Sequence, residues 1–161
     1  MESAANSPTP HTAVETRAAR PEDASAIADL YWRTRQAAVP SIPPPVHPRE
    51  SVTRWIREVV LPQRHVWVAT EGTTGAIVGM LVIEDPDWIH QLYVDPTAQD
   101  RGIGTLLLQR ALEHTHGPAR LWCFQANTAA RRFYERHGFV PTVTTKGDNE
   151  EGAPDVLYVR G

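Results

Sequence analysis

The chain has 161 residues, 41% of them hydrophobic and 22% charged, which fits one globular domain able to bury its own core. Its formal net charge of -3 lacks the basic excess of a nucleic-acid binder, and no apolar run is long enough to span a bilayer. Cys123 is the only cysteine, so no internal disulfide can form; with no cationic, apolar leader at the N-terminus, this points to a cytoplasmic protein.

Residues 1–12 are rich in Ser, Pro, Ala and Thr and read as a disordered tail, leaving 13–161 as the folded domain. Val14–Ala18 alternates as a first strand. Arg20-Pro21-Glu22-Asp23 starts a helix that carries Ile27, Leu30 and Tyr31 to about Gln36. The proline-rich stretch Val39–Pro48 is irregular. A second helix fits Pro48–Val60, with Val52, Trp55, Ile56 and Val59 on one face and Pro62 as its stop. Three strands follow at His65–Thr70, Ala76–Ile83 and Trp88–Val94, joined by short turns that make them antiparallel. Beyond Asp95-Pro96 the period becomes helical, with Ile103, Leu106, Leu107, Arg110, Ala111 and His114 leading to Gly117-Pro118. Arg120–Gln125 is another strand, and Asn127 caps a helix that holds Ala130, Phe133, Tyr134 and His137 and ends at Gly138. Phe139–Thr145 and Asp155–Val159 are the last strands. The order predicts an α/β fold, a mixed and mostly antiparallel sheet of six to seven strands flanked by helices.

The informative segment is Leu92–Leu107, where a strand enters a turn and a helix begins. The first N–H groups of a helix lack internal partners and share the positive end of its dipole. Gly102 and Gly104 let an anion approach the backbone, so Gln99–Gly104 reads as a pyrophosphate cradle, with Arg101 adding a cation. A dinucleotide fingerprint fails because its third glycine position is Leu107, and a P-loop fails because no lysine precedes Thr105. A plain strand–turn–helix accounts for the same glycines.

Leu92–Pro96 followed by Gln99–Gly104 resembles the GCN5-related N-acetyltransferase superfamily, whose strand ends hydrophobic-x-Val-x-Pro and leads into Gln/Arg-x-x-Gly-x-Gly/Ala. Asn127, Ala130, Phe133, Tyr134, Gly138 and Phe139 match its next signature in order and spacing, so the likeness covers roughly Val14 to Val159. The resemblance implies a sheet splayed between its fourth and fifth strands, Trp88–Val94 and Arg120–Gln125, with the arm of acetyl-CoA lying in the opening like an added strand. It implies acetyl-CoA as cosubstrate, held by Leu92, Tyr93, Val94, Gln99, Asp100, Arg101, Gly102, Ile103, Gly104, Thr105, Asn127 and Tyr134. The chemistry implied is acetyl transfer by direct attack of an amine.

In that reading Val94 N–H polarises the thioester and Tyr134 is the general acid, a role that the motif match favours over that of a core aromatic beside Phe133. Asn127 fits a cap alone or a cap that also binds the cofactor. Glu84, His90, Glu150 and Glu151 are candidate bases or relays, with Glu84 set first among them and a water chain to solvent as the alternative. His90, by strand alternation on the face of Leu92 and Val94, reads as a core histidine more readily than as a base. Cys123, between Trp122 and Phe124, suits a buried thiol better than a nucleophile. The acceptor side implied by the resemblance draws Trp32, Gln91, Glu150 and Glu151 into a pocket, with His47, Trp55 and Trp88 as further walls. Asp148, Glu150, Glu151 and Asp155 form either an acidic rim for a cationic amine or a solvated loop. The partner is then a small-molecule or peptide amine, with no nucleic acid and no membrane, and the family allows a homodimer. Spacing along the chain offers no metal site. The competing readings are a non-catalytic acyl-CoA-binding module and a structural α/β domain.

Overall fold

The computed structural model describes residues 13–40 and 42–161, so the expected tail at 1–12 lies outside the described residues. Seven strands make one sheet in the order β1-β2-β3-β4-β5-β7-β6. They are β1 (Val14–Ala18), β2 (His65–Glu71), β3 (Ile77–Glu84), β4 (Trp88–Val94), β5 (Ala119–Phe124), β6 (Val140–Thr144) and β7 (Asp155–Arg160). Every neighbouring pair is antiparallel except β4 and β5. The helices are α1 (Ala24–Ala38), α2 (Arg49–Trp55), α3 (Leu61–Gln63), α4 (Ile103–Thr115) and α5 (Thr128–Arg136). This is the mixed, helix-flanked sheet that the sequence predicts.

The alternation of β3 feeds two cores. Leu81 and Ile83 pack with Ile103, Leu107, Leu108 and Ala111 of α4 and with Tyr134 of α5. Met80 and Val82 pack on the other face with Ile27 and Leu30 of α1 and Val52 of α2. Gly79 lets α4 approach, because a Cβ there would meet Leu107 Cδ1 at 2.9 Å. Among the described residues, no helix is long and apolar enough to cross a membrane.

Three local expectations are corrected. Pro62 does not stop the second helix. A π turn at Ile56–Val60, in which Leu61 N–H donates to Ile56 O, widens the helix so that it runs on through α3 past Pro62. The extra residue also turns Val60, rather than Val59, fully into the core. On α4, Leu108 is buried and Leu106 is exposed.

The third correction concerns β4. Ile83 pairs with Ile89 and Val82 with Gln91, so His90 is an extra residue in a β-bulge. Ile89 takes the place beside Leu92 and Val94 in the core, and His90 turns out to bond Glu84. His90 is therefore an exposed, carboxylate-paired histidine and not a core one.

Candidate active site

The site begins where two strands part. β4 and β5 pair only at Trp88 and Arg120. Arg120 clamps that joined end: its N–H donates to Asp87 O at 2.9 Å, its Nε donates to Asp87 Oδ1 at 2.9 Å, and its guanidinium lies 4.1 Å from the Trp88 ring centroid. Past the clamp the strands diverge around a cleft of ≈ 1630 Å³. Gln91, Leu92, Tyr93 and Val94 face it from β4, and Leu121, Trp122, Cys123 and Phe124 from β5. An open strand edge of this kind offers main-chain groups to an extended, amide-bearing ligand.

At the outer end of β4 the backbone makes a basin. Asp95 is buried and fixes the turn by accepting from Thr97 N at 2.9 Å, Thr97 Oγ1 at 2.8 Å and Arg33 Nη2 at 2.7 Å. Burial alone would raise the Asp95 carboxyl, but Thr97 and Arg33 outweigh it and hold the group below its ordinary value. Asp100 and Gly102 then take left-handed conformations, with φ of 63° and 77°. α4 starts at Ile103 after Gly102, which has no side chain to cap it, so among the described residues its first N–H groups have no side-chain cap and suit another partner. Gln99, Asp100, Gly102, Ile103, Gly104 and Thr105 all line the cleft. Arg101 does not; it turns to Glu71 across the sheet. A Cβ on Gly104 would touch Phe133 at 3.4 Å, so the open side of this glycine is bounded by an aromatic wall.

Tyr134 lies under the parting strands, buried and set edge-on to Phe133 and Phe139 at 5.3 and 5.6 Å. It lines the cleft, and burial pushes its phenol far above the ordinary value, so it keeps its proton. Cys123 also faces the cleft. Burial pushes its thiol up to about 11, which leaves it a protonated and poor nucleophile. Asn127 caps α5 by accepting from Ala130 N at 3.2 Å and lines the cleft as well, so both of its expected uses remain open to it.

The opposite half of the cleft is built of side chains from distant segments. Gln91, Glu150, Glu151, His47 and Trp55 line it, whereas Trp32, Trp88 and Glu84 do not. Trp32, on α1 itself, is partly buried and packs against the core on that face of the sheet. Trp88 belongs to the Arg120 clamp, and Glu84 stands behind His90, which does line the cleft. Asp148 and Asp155 line the cleft as well; Asp155 is buried and accepts from Asn149 Nδ2 at 3.0 Å and from Thr145 Oγ1, so it also braces the hairpin.

Sequence reasoning missed Arg35. Only 4% exposed, it donates to Tyr31 Oη at 3.3 Å and to Pro43 O at 3.0 Å and lies 3.6 Å from Glu151 Oε1. It thus joins α1 to the loop before α2 and to the β6–β7 hairpin. Its Nε and the Oε1 of Gln91 are buried without a hydrogen-bond partner among the described residues, and both residues line the cleft. Tyr93 lies alongside, its phenol pushed up to about 12 by burial against the opposing effect of Arg35. The available signal was a charged residue on the buried stripe of α1, in step with Ile27, Ala28, Leu30 and Thr34.

Known proteins show the same pattern. Residues 62–141 match the model of the acetyltransferase (GNAT) domain. The probable N-acetyltransferase Rv2775 of Mycobacterium tuberculosis is 34% identical over 142 residues, covering 78% of this chain and 79% of that protein. The peptidyl-lysine N-acetyltransferase YiaC of Escherichia coli is 31% identical over 84 residues, covering 52% of this chain and 56% of its own. The structure of yncA from Salmonella typhimurium with its cofactor acetyl-CoA superposes with a TM-score of 0.69 at 20% identity, over 92% of this chain and 93% of that one. The chain belongs to the GNAT superfamily and is an acetyl-CoA-dependent N-acetyltransferase.

Proposed function

We propose that the protein transfers acetyl from acetyl-CoA to a primary amine, either a small amine or an amine of a peptide, by direct attack within the β4–β5 cleft. The observation that carries this reading is the uncapped start of α4 at one end of a splay with a buried, protonated phenol beneath it. The pyrophosphate rests on the N–H groups of Ile103, Gly104 and Thr105, and the pantetheine arm runs along the open edge of β4. The amine enters from the side of Glu150 and Glu151, whose charge favours a cation. The N–H of Val94 polarises the thioester carbonyl.

His90, held by Glu84, takes the proton from the ammonium, so the candidate base Glu84 acts through the imidazole. Imidazole is the side chain suited to exchanging protons near neutral pH. The neutral amine attacks the carbonyl carbon, a C–N bond forms, the new nitrogen loses its remaining extra proton to solvent water, which also restores the phenol after turnover, and the C–S bond breaks. Tyr134 gives its proton to the departing thiolate. Burial makes the phenol a reluctant donor, and the same apolar surroundings make the thiolate a strong acceptor. Activity of the related YiaC on peptidyl lysine supports including peptide amines among the acceptors.

The test is CoA release across a panel of amines. Tyr134→Phe should lower kcat about a hundredfold while acetyl-CoA affinity stays within a factor of about two. Turnover equal to wild type would remove Tyr134 as the acid. Cofactor binding with no amine-dependent release in the wild type would leave an acyl-CoA-binding module instead.

A further inference from the structure

Away from the cleft, three side chains from three elements converge. His65 opens β2, Asp85 lies in the β3–β4 turn, and His114 is in the last turn of α4. Nε2 of His65 is 2.9 Å from Asp85 Oδ2, and Nε2 of His114 is 2.9 Å from Asp85 Oδ1. The two rings lie against each other with centroids 4.3 Å apart and planes tilted by 48°. The three donor atoms all lie within 4.8 Å of one another. Donors on one zinc-sized ion, each bonded at about 2.0–2.2 Å, stand about 3–4 Å apart. A small swing of these side chains closes that gap, and their relative exposures of 48%, 66% and 27% leave room for it and for entry of an ion.

We propose that His65, Asp85 and His114 bind one divalent transition-metal ion of the zinc class, which pins the start of β2, the β3–β4 turn and the end of α4 together. The donor chemistry selects the ion. Two imidazole nitrogens with one carboxylate suit zinc, cobalt or nickel, whereas magnesium and calcium call for a shell of oxygens. The remaining coordination positions face solvent and take water. In the metal-free state each Nε2 carries the proton it donates to Asp85. Metal binding moves that proton to Nδ1, the tautomer in which Nε2 is free to bind the ion. The role is structural: His114 lies eleven residues beyond the start of α4, about 17 Å from the cofactor cradle at 1.5 Å per residue.

The experiment is a titration of the full chain, carrying no affinity tag, with zinc chloride and with cobalt chloride, read by calorimetry and by cobalt absorption. Saturation at one equivalent is expected, with a thermal midpoint that rises with zinc and not with magnesium. His65→Ala and His114→Ala should each weaken zinc binding at least tenfold, Asp85→Asn should weaken it as well, and His116→Ala should leave it unchanged. Circular dichroism of each variant establishes that it is folded. No saturable binding to the wild type, or full affinity in both His65→Ala and His114→Ala, overturns the site.

Discussion

The two halves of the cleft are made of different material. The half in which we place the cofactor is main chain: the edge of β4, the left-handed turn at Asp100 and Gly102, and the start of α4. The half in which we place the amine is side chain: Arg35 and Tyr31 from α1, His47 from the loop before α2, Gln91 from β4, and Glu150 and Glu151 from the β6–β7 hairpin. Backbone suits a ligand that never changes. A surface assembled from loops and side chains can be revised for a new amine without disturbing the grip on the cofactor. On this account, substitutions in the acceptor half should alter amine parameters and spare acetyl-CoA affinity.

The largest effect expected in the acceptor half is at the proton relay. His90→Ala should lower kcat/KM for the amine about a hundredfold, with most of the loss recovered at alkaline pH, where the amine is already neutral. A uniform loss at every pH would mean that His90 only shapes the bulge. Next is the acidic hairpin. Glu150→Gln with Glu151→Gln should raise KM for a cationic amine about tenfold, or ~1.4 kcal/mol, with kcat little changed. Added salt should raise KM in the wild type and not in the double variant. A matching loss of acetyl-CoA affinity would erase the division between the halves.

The smallest effect concerns the anchor of the cofactor turn. Asp95 is held below its ordinary value in the folded protein, whereas in the unfolded chain it titrates near 3.9. Its contribution is therefore complete above about pH 4 and is lost as pH falls through the lower, folded value. Asp95→Asn should cost about 1 kcal/mol at neutral pH, and the gap to wild type should close as the medium is acidified. Denaturant midpoints measured against pH give both numbers.

The same division decided what the sequence disclosed. Asp95-Pro96, Gly102, Gly104 and the Asn127 cap act through local backbone geometry, so their spacing carries the signal directly. The face that His90 occupies is set by its pairing with β3, and a one-residue bulge is invisible without the partner strand. The turn of Val60 into the core follows from a π turn just before Pro62, a residue that reads in sequence as a stop. Arg101 shows a further limit: its position suits an anion, yet Glu71 from β2 claims its guanidinium. Arg35 and the set of His65, Asp85 and His114 depend on contacts between distant segments. Twenty and 29 residues separate Asp85 from its two histidines, so no spacing rule finds them.

The claim beneath the whole account is that peptide N–H groups at the start of α4 hold the anionic linker of coenzyme A. Gly104→Val tests it most directly. A Cβ at Gly104 meets Phe133 only at ordinary contact distance, so the helix should fold, while the branched side chain fills the anion's approach. Calorimetric titration with acetyl-CoA should show affinity weakened about a hundredfold, or ~2.7 kcal/mol, at an unchanged thermal midpoint. A folded Gly104→Val protein that binds acetyl-CoA as tightly as wild type would contradict the cradle.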